Sequence, residues 1–222
     1  MKGGAMAQRR TEPYIWVTWL TKLLAGESTC EWSAWYRAHH TDYDKLPVDF
    51  DLARWTIDHN ELVNERREQL LDEGYQVYVE HENAFKRIGK TGILVSGKPD
   101  ILAIRDGTGC VEDCKTGRPR TSDQLQVLVY MLLLPIGNPR CANVKLSGRV
   151  VYRTSSVEIP ASGLDETFRT RFVDLVHRVG GESPLPKAPA WSECRWCDIG
   201  PADCLYRVSK PPESIEAETD LF

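Results

Sequence analysis

The stretch from residue 93 to residue 134 limits most strongly what this chain can fold into. It holds three β-rich runs, at 93–95, 100–104 and 110–114, and the turn sequence Asp-Gly-Thr-Gly at 106–109. An Asp-Gly pair between two such runs is typical of a β-hairpin, because both residues tolerate positive φ. A helix is predicted from Ser122 to Leu134, with Ser122 or Asp123 as N-cap and Pro135 as its end. A hairpin followed at once by a helix predicts a sheet with a helix packed on it.

The rest of the chain predicts further helices and strands around this stretch. Apolar spacing indicates helices at 12–36, 52–73 and 164–179, and alternating runs indicate strands at 75–80 and 144–152. Gly74 is expected to end the second of these helices. This order of elements predicts an α/β (α+β) chain with a mixed central sheet flanked by helices.

A single domain with irregular ends is expected, since 222 residues of which 41% are hydrophobic suffice for one core. The expected units are a disordered or artificial N-terminus at 1–11, a domain at 12–207 with its core at about 52–160 and its ends at 12–51 and 161–207, and an acidic tail at 208–222. No apolar run reaches the ~18–20 residues of a bilayer span and no signal peptide is visible. We therefore expect a cytoplasmic protein without membrane contact.

The net charge of −4 comes from the acidic tail. Residues 211–222 hold four carboxylates and no Lys or Arg, so that the remaining chain has 28 acidic residues against 28 basic ones. A neutral folded part neither favours nor excludes a nucleic-acid partner.

Five polar residues recur along the hairpin and the following helix at spacings that would bring them together. Asp100 begins one predicted strand, Asp113 and Lys115 lie on the next, and Gln126 and Tyr130 lie on the helix. Residues i and i+2 of a strand share a face, and so do residues i and i+4 of a helix. Carboxylates at such a place hold Mg²⁺ or Mn²⁺, which polarises a phosphodiester and activates a water for attack on it.

At these residues the sequence resembles a known family of nucleases. Val111-Glu-Asp-Cys-Lys-Thr-Gly117 followed by Gln124-Leu-Gln-Val-Leu-Val-Tyr130 is similar to the RecB-type PD-(D/E)xK core, which has a restriction-endonuclease-like fold. The resemblance implies a DNA-cleaving enzyme in which Asp100 and Asp113 bind the metal and Lys115 is the catalytic lysine. It also implies that Gln126 and Tyr130 form the helix motif associated with DNA handling.

The same resemblance implies another metal ligand upstream of the hairpin. His59, on the helix predicted at 52–73, is the first candidate, and either Glu80 or His81 is the alternative, since strand alternation would turn only one of them to the metal. Glu112 is an alternative carboxylate, but the same alternation sends it to the face opposite Lys115. In the loop after the catalytic strand, Arg118 and Arg120 are candidates for DNA contacts.

Four of the seven cysteines form a second motif. Cys194, Cys197 and Cys204 follow a C-x2-C-x6-C pattern, and Cys30 is the best remote candidate for a fourth ligand. Thiolate spacing alone does not decide between a zinc site and an iron–sulfur cluster. Near Cys30, the aromatic side chains of Trp32, Trp35 and Tyr36 would either pack around this site or stack on unpaired bases.

One cysteine before the nuclease core and three after it resemble the CRISPR-associated RecB-like family and the AddB-type subunit of bacterial recombination enzymes. The resemblance implies a 4Fe–4S cluster that joins the two ends of the domain, with zinc as the alternative metal. It further implies cleavage of single-stranded DNA or DNA ends during CRISPR spacer acquisition, with integrase proteins as partners. The alternatives are a stand-alone or phage-borne recombination or repair nuclease, a non-catalytic cluster-bearing DNA-binding subunit, and a zinc-stabilised interaction module.

Overall fold

A computed structural model of the protein describes residues 7–47 and 50–212, so that most of the acidic tail lies outside the described residues. The strands are β1 (Gln8–Arg9), β2 (Tyr14–Trp16), β3 (His40–Thr41), β4 (Gln76–Val79), β5 (Phe85–Ile88), β6 (Leu94–Gly97), β7 (Ile101–Arg105), β8 (Thr108–Lys115), β9 (Lys145–Tyr152) and β10 (Ser156–Ile159). The helices are α1 (Val17–Leu24), α2 (Glu31–His39), α3 (Leu52–Asp72), α4 (Thr121–Gly137), α5 (Glu166–Gly180) and α6 (Trp191–Cys194).

The main sheet has five strands in the order β10-β9-β8-β7-β4, and within it only β8 and β9 pair in parallel. A second sheet has the order β2-β6-β5, with β2 parallel to β6, and β1 pairs with β3. The prediction of a mixed sheet flanked by helices is confirmed.

The predicted hairpin is confirmed as the connection between β7 and β8. Asp106 and Gly107 both have positive φ, 50° and 75°, as a tight two-residue turn requires. Antiparallel pairing then sets Ile101 opposite Glu112. Because Asp100 immediately precedes β7, the same register brings it beside Asp113.

Helices cover both faces of the main sheet. On one face, α3 packs through Leu62, Val63 and Leu70 against β7 and β8. On the other face, α4 is apolar from Val127 to Leu134 apart from the Tyr130 hydroxyl, and it packs in the larger core against β8, β9 and strand β5 of the second sheet. Among the described residues, no helix combines the length and the apolar character that a bilayer crossing requires.

The close approach of α4 to the sheet depends on Gly148 in β9. A Cβ atom built there would lie 2.7 Å from Met131 Sδ and would also overlap Val127 of α4. We expect Gly148→Ala to lower the free energy of unfolding by about 1–3 kcal/mol, because overpacking a filled core forces the helix away. Urea denaturation checks this, with Gly117→Ala as a control, since a Cβ at Gly117 meets nothing within 4 Å. Equal stability of the two variants would contradict the prediction.

The sequence-based prediction of one helix at 12–36 is wrong. The segment forms β2, α1 and α2, because residues 14–16 pair with β6 and Gly26, at φ 70°, breaks the helix after α1. The helix at 52–73 is confirmed as α3, with Gly74 at φ 84° just after it.

Pro135 does not end α4, which continues to Gly137. Pro135 has no N–H to donate, but the Asn138 N–H still donates to the Leu134 carbonyl and closes the last turn. At the other end of the helix, Arg120 rather than Ser122 or Asp123 is the N-cap residue, and the Asp123 carboxylate accepts from the Arg120 N–H.

Two further expectations need correction. Gln8 and Arg9 form β1 with β3, so ordered structure begins within the segment 1–11 that was expected to be disordered or artificial. The strand predicted at 75–80 ends at Val79, and Glu80, at φ 42°, begins a short 3₁₀ turn. Strand alternation therefore does not choose between Glu80 and His81.

Candidate active site

Two buried carboxylates lie side by side where β7 begins and β8 ends. Asp100 Oδ2 accepts a hydrogen bond from the Cys114 N–H at 2.7 Å, so the strand backbone itself holds this carboxylate against β8. Asp113 is almost completely buried, and its Oδ1 accepts from Gln126 Nε2 at 2.9 Å. The structure thus brings together Asp100, Asp113 and the helix residue Gln126, as their spacing predicts.

Lys115 shares the face of β8 that carries Asp113. Its ammonium forms a close ion pair with Asp113 Oδ2 and donates to Gln126 Oε1 at 3.3 Å. Burial alone would lower the pKa of Lys115, but the carboxylates of Asp113 and Asp100 outweigh burial and raise it. The lysine is therefore a cation held at a fixed place beside both carboxylates.

Helix α4 supplies a rigid support for these groups. Gln126 Nε2 also donates to Tyr130 Oη at 3.0 Å, and Tyr130 Oη donates to the Lys98 carbonyl at 3.4 Å. A Cβ at Gly97 would lie 2.8 Å from the Tyr130 ring, so the loop before Asp100 lies directly against the helix. Gln126 and Tyr130 therefore set the distance between the loop of Asp100 and the strand of Asp113.

His59 reaches the same site from α3. Its Nε2 lies 3.2 Å from Asp100 Oδ2, and its ring stacks on Trp55 with centroids 4.9 Å apart. The hydrogen bond with Asp100 raises the pKa of His59 against the opposing effect of burial. Glu80, one of the alternatives to His59, instead approaches Lys98 at 3.8 Å.

Glu112 lies on the opposite face of β8 and is fully buried there. Arg66 of α3 contacts it with two nitrogens, at 2.7 and 2.9 Å, and Arg149 of β9 contacts it at 2.9 Å. Two guanidinium groups, one from helix α3 and one from strand β9, thus pair with the Glu112 carboxylate. Sequence analysis missed Arg66, and the only signal for it was that a carboxylate within a buried strand needs a positive partner.

The residues at Asp113 fit a divalent cation. Burial raises the pKa of Asp113 to about 7, with Lys115 opposing this and Asp100 adding to it. Among the residues that the structure describes, Asp113 Oδ2 has no hydrogen-bond partner, and it contacts the Lys115 ammonium as an ion pair. A cation would stabilise this carboxylate in its ionised form.

A complete protein cage for the metal is not present in the described part of the chain, which has no group of three or more His, Cys, Asp or Glu side chains arranged to hold an ion. Mg²⁺ does not require one, because it commonly keeps several waters and uses one or two carboxylates together with phosphate oxygens of the substrate. Asp100 and Asp113 supply such a pair.

The loop that joins β8 to α4 leads away from Lys115 to the surface. It carries Arg118 and Arg120, and both residues are exposed. Exposed guanidinium groups in the loop that follows Lys115 could contact a nucleic-acid backbone.

The cysteines at the two ends of the domain lie around one region. Cys30, Cys194 and Cys197 line a cavity of about 460 Å³, and Cys30, Cys197 and Cys204 pack against a cluster of buried aromatic residues. That cluster includes Trp32, Trp35 and Tyr36, each only 6% exposed. The interpretation of these three side chains as packing residues is therefore confirmed, and they present no open face for base stacking.

Hydrogen bonds fasten the C-terminal segment to the loop before α2. The Glu193 carboxylate, one residue before Cys194, accepts from the Thr29 N–H at 3.0 Å and from the Thr29 hydroxyl at 2.9 Å. Arg37 of α2 binds Asp198 at 2.8 Å and donates to Cys197 Sγ at 3.5 Å. Four half-buried free thiols, one of them beside a guanidinium, are a donor set that suits a thiolate-bound metal, although among the described residues they do not converge into a metal-holding group.

A known protein family matches most of this chain. The family model of the PD-(D/E)XK nuclease superfamily matches residues 17–202. The solved structure of the protein SSO0001 is similar over 88% of this chain and 89% of that one, with 18% sequence identity and a TM-score of 0.45. A search of the curated proteins finds no match. Because the family model spans most of the chain, including the strands and the helix that carry the site, the protein belongs to the PD-(D/E)XK nuclease superfamily.

Proposed function

We propose that the protein is a Mg²⁺- or Mn²⁺-dependent deoxyribonuclease in which Asp100 and Asp113 hold the metal. The observation that carries this proposal is that these two buried carboxylates meet Lys115 where β7 begins and β8 ends. Membership of a nuclease superfamily supports it. Hydrolysis of a phosphodiester is the reaction that such a set of groups suits best.

Each residue of the site would have a separate role in phosphodiester hydrolysis. A bound divalent cation polarises the phosphodiester and lowers the pKa of the attacking water. Lys115, fixed by Asp113 and Gln126, would orient that water or contact a phosphate oxygen. Gln126 would hold Asp113 by its Oδ1, and a bound cation would share Oδ2 with the ammonium of Lys115. His59 would fix Asp100, and would join the ligands if its ring moved away from the carboxylate.

A cleavage assay tests this directly. Purified protein is incubated with end-labelled single-stranded and duplex DNA in Mg²⁺, in Mn²⁺ and in excess EDTA. We expect cleavage with either metal, none in EDTA, and faster cleavage of single strands or frayed ends than of blunt duplex. A preparation with no cleavage under any metal would favour the non-catalytic DNA-binding alternative.

The RecB-like part of the proposal depends on the four cysteines. We propose that Cys30, Cys194, Cys197 and Cys204 hold a 4Fe–4S cluster that joins the two ends of the domain. The shared cavity, the shared aromatic cluster and the Glu193 contact with Thr29 support it. A cluster at this place would act mainly as a cross-link between residues that are far apart in sequence.

Metal analysis of the cysteine variants is expected to show this. We expect about four irons per chain and a broad absorbance near roughly 400 nm in anaerobically purified protein, with both lost in Cys197→Ala. Cys141→Ala is a matched control, since Cys141 is fully buried in the other core and should leave the iron content unchanged. One zinc per chain in a colourless protein would contradict the cluster and favour the zinc-stabilised alternative.

Among the RecB-like nucleases that share this order of cysteines, we propose the CRISPR-associated family, with trimming of DNA for spacer acquisition beside integrase proteins as its role. This assignment stays a prediction, as does its alternative of a stand-alone or phage-borne recombination or repair nuclease. Co-purification with integrase proteins encoded beside the gene would separate the two.

A further inference from the structure

An exposed aromatic pair lies at the start of α3. Phe50, just before the helix, is 52% exposed, and Trp55, on its first turns, is 38% exposed. The two rings are tilted by 55° with centroids 6.2 Å apart. Exposed apolar side chains that contact each other are a candidate binding surface.

This pair is connected to the candidate active site by direct contacts. The Trp55 indole stacks on the His59 ring at 4.9 Å with an interplanar angle of 23°, and His59 Nε2 lies 3.2 Å from Asp100 Oδ2. Trp55, His59 and Asp100 thus form a continuous path from the surface to the carboxylates. A nucleotide that placed its phosphate at Asp100 would have its base, or the next one, within reach of Trp55.

We propose that Trp55, with Phe50, forms a stacking platform for an unpaired base next to the scissile phosphate. This inference rests on the proposed nuclease function and names the part of the site that selects single-stranded DNA. Aromatic rings bind any base through its π-face, but within a duplex both faces of a base are already covered by its neighbours. The platform therefore binds single strands, or ends with unpaired bases, more tightly than duplex DNA.

One exposed basic side chain lies beside the platform, between the carboxylates of Asp51 and Asp58. Arg54, next to Trp55, has a side chain that is 76% exposed and only a 3.4 Å contact with Asp58 on the same helix. A guanidinium in this position can approach a phosphate while the base stacks on the indole. The aromatic residues around Trp35, which the sequence also suggested for base stacking, are buried and cannot serve.

Binding in EDTA, where a metal-dependent nuclease does not cleave, tests the platform. The dissociation constant is measured by fluorescence anisotropy for a labelled oligo-dT and for a blunt hairpin duplex, with a gel to check that the DNA stays intact. We expect Trp55→Ala to weaken binding of oligo-dT by roughly 5- to 150-fold and to change binding of the duplex little. Trp55→Phe should keep most of the affinity because it retains an aromatic face.

Ile57→Ala is the matched control, since Ile57 is 66% exposed and lies two residues along the same helix, on another face. It should leave both dissociation constants unchanged. Unchanged binding of oligo-dT by Trp55→Ala, or an equal loss for oligo-dT and duplex, would overturn the platform. So would a Trp55→Phe variant that folds, as judged by its melting temperature, but binds as weakly as Trp55→Ala.

Two outcomes separate this inference from the nuclease proposal. Wild-type protein that binds oligo-dT through Trp55 but never cleaves it would uphold the platform and remove the nuclease. If the wild-type protein cleaves DNA with metal, and Trp55→Ala binds oligo-dT as tightly as wild type, the nuclease proposal stands and the platform is wrong. If the aromatic pair instead serves contact between two copies of the chain, Trp55→Ala would shift the mass in solution and leave the affinity for oligo-dT intact, which overturns the platform.

Discussion

Replacement of Asp113 by asparagine is expected to lower kcat/KM for DNA cleavage by ~10³-fold or more. Loss of a metal-holding carboxylate removes several kcal/mol of transition-state stabilisation, and each 1.36 kcal/mol corresponds to a factor of ten. The amide keeps the shape of the side chain and can still face Gln126 and Lys115, so the fold should remain. Initial rates in Mg²⁺ and Mn²⁺, with circular dichroism of the same sample, measure both effects.

The matched control is Asp106→Asn in the hairpin turn. Asp106 lies on the same pair of strands but at the far end, with φ 50°, a conformation that asparagine tolerates well. It should cleave DNA at the wild-type rate. Cleavage by Asp113→Asn at a rate close to that of this control would mean that the metal is held elsewhere.

Removal of the Arg66 side chain is expected to cost about 3 kcal/mol of unfolding free energy. Glu112 has no exposed surface, and Arg66 provides two of the three guanidinium contacts that stabilise its charge. Breaking one side of a buried ion pair typically costs about 3–5 kcal/mol, because the partner is left buried without compensation. Because Arg149 still contacts Glu112 in the variant, we expect a loss of unfolding free energy at the lower end of this range. Urea denaturation measures this loss.

Two comparisons make the prediction for Arg66 specific. Arg153→Ala removes an arginine whose partners, Asp58 and Glu61, are both on the surface of α3, and no measurable change is expected. The double variant Arg66→Met with Glu112→Leu removes both buried charges and should recover much of the stability lost in Arg66→Ala. Equal loss in the double variant and in Arg66→Ala would show that side-chain packing, not charge, is responsible.

These two predictions assign different roles to two neighbouring residues of β8, catalysis to Asp113 and stability to Glu112. Asp113 and Glu112 are adjacent carboxylates, yet one faces α4 and Lys115 while the other faces α3 and Arg66. Alternation along a strand is a local rule, so the sequence was sufficient to assign the two to opposite faces. What each of them meets on its face depends on the packing of helices from other parts of the chain.

The sequence by itself determined the elements whose cause is local. The hairpin follows from Asp106-Gly107, α3 from its length and Gly74, and the shared face of Asp113 and Lys115 from the two-residue period of a strand. It also placed the helix with Gln126 and Tyr130 directly after them. These features depend on residues that are close in sequence, so local conformational preferences are sufficient to predict them.

Only the tertiary structure decided the features that join distant segments. Residues 14–16 have the spacing of a helix but form β2, because β6 offers backbone hydrogen bonds at that place. Trp32 and Trp35 are buried while Trp55 is exposed, although all three are tryptophans in helices. Which side chain loses contact with water depends on the segment that packs over it, and that segment can lie more than a hundred residues away, as Glu193 does from Thr29.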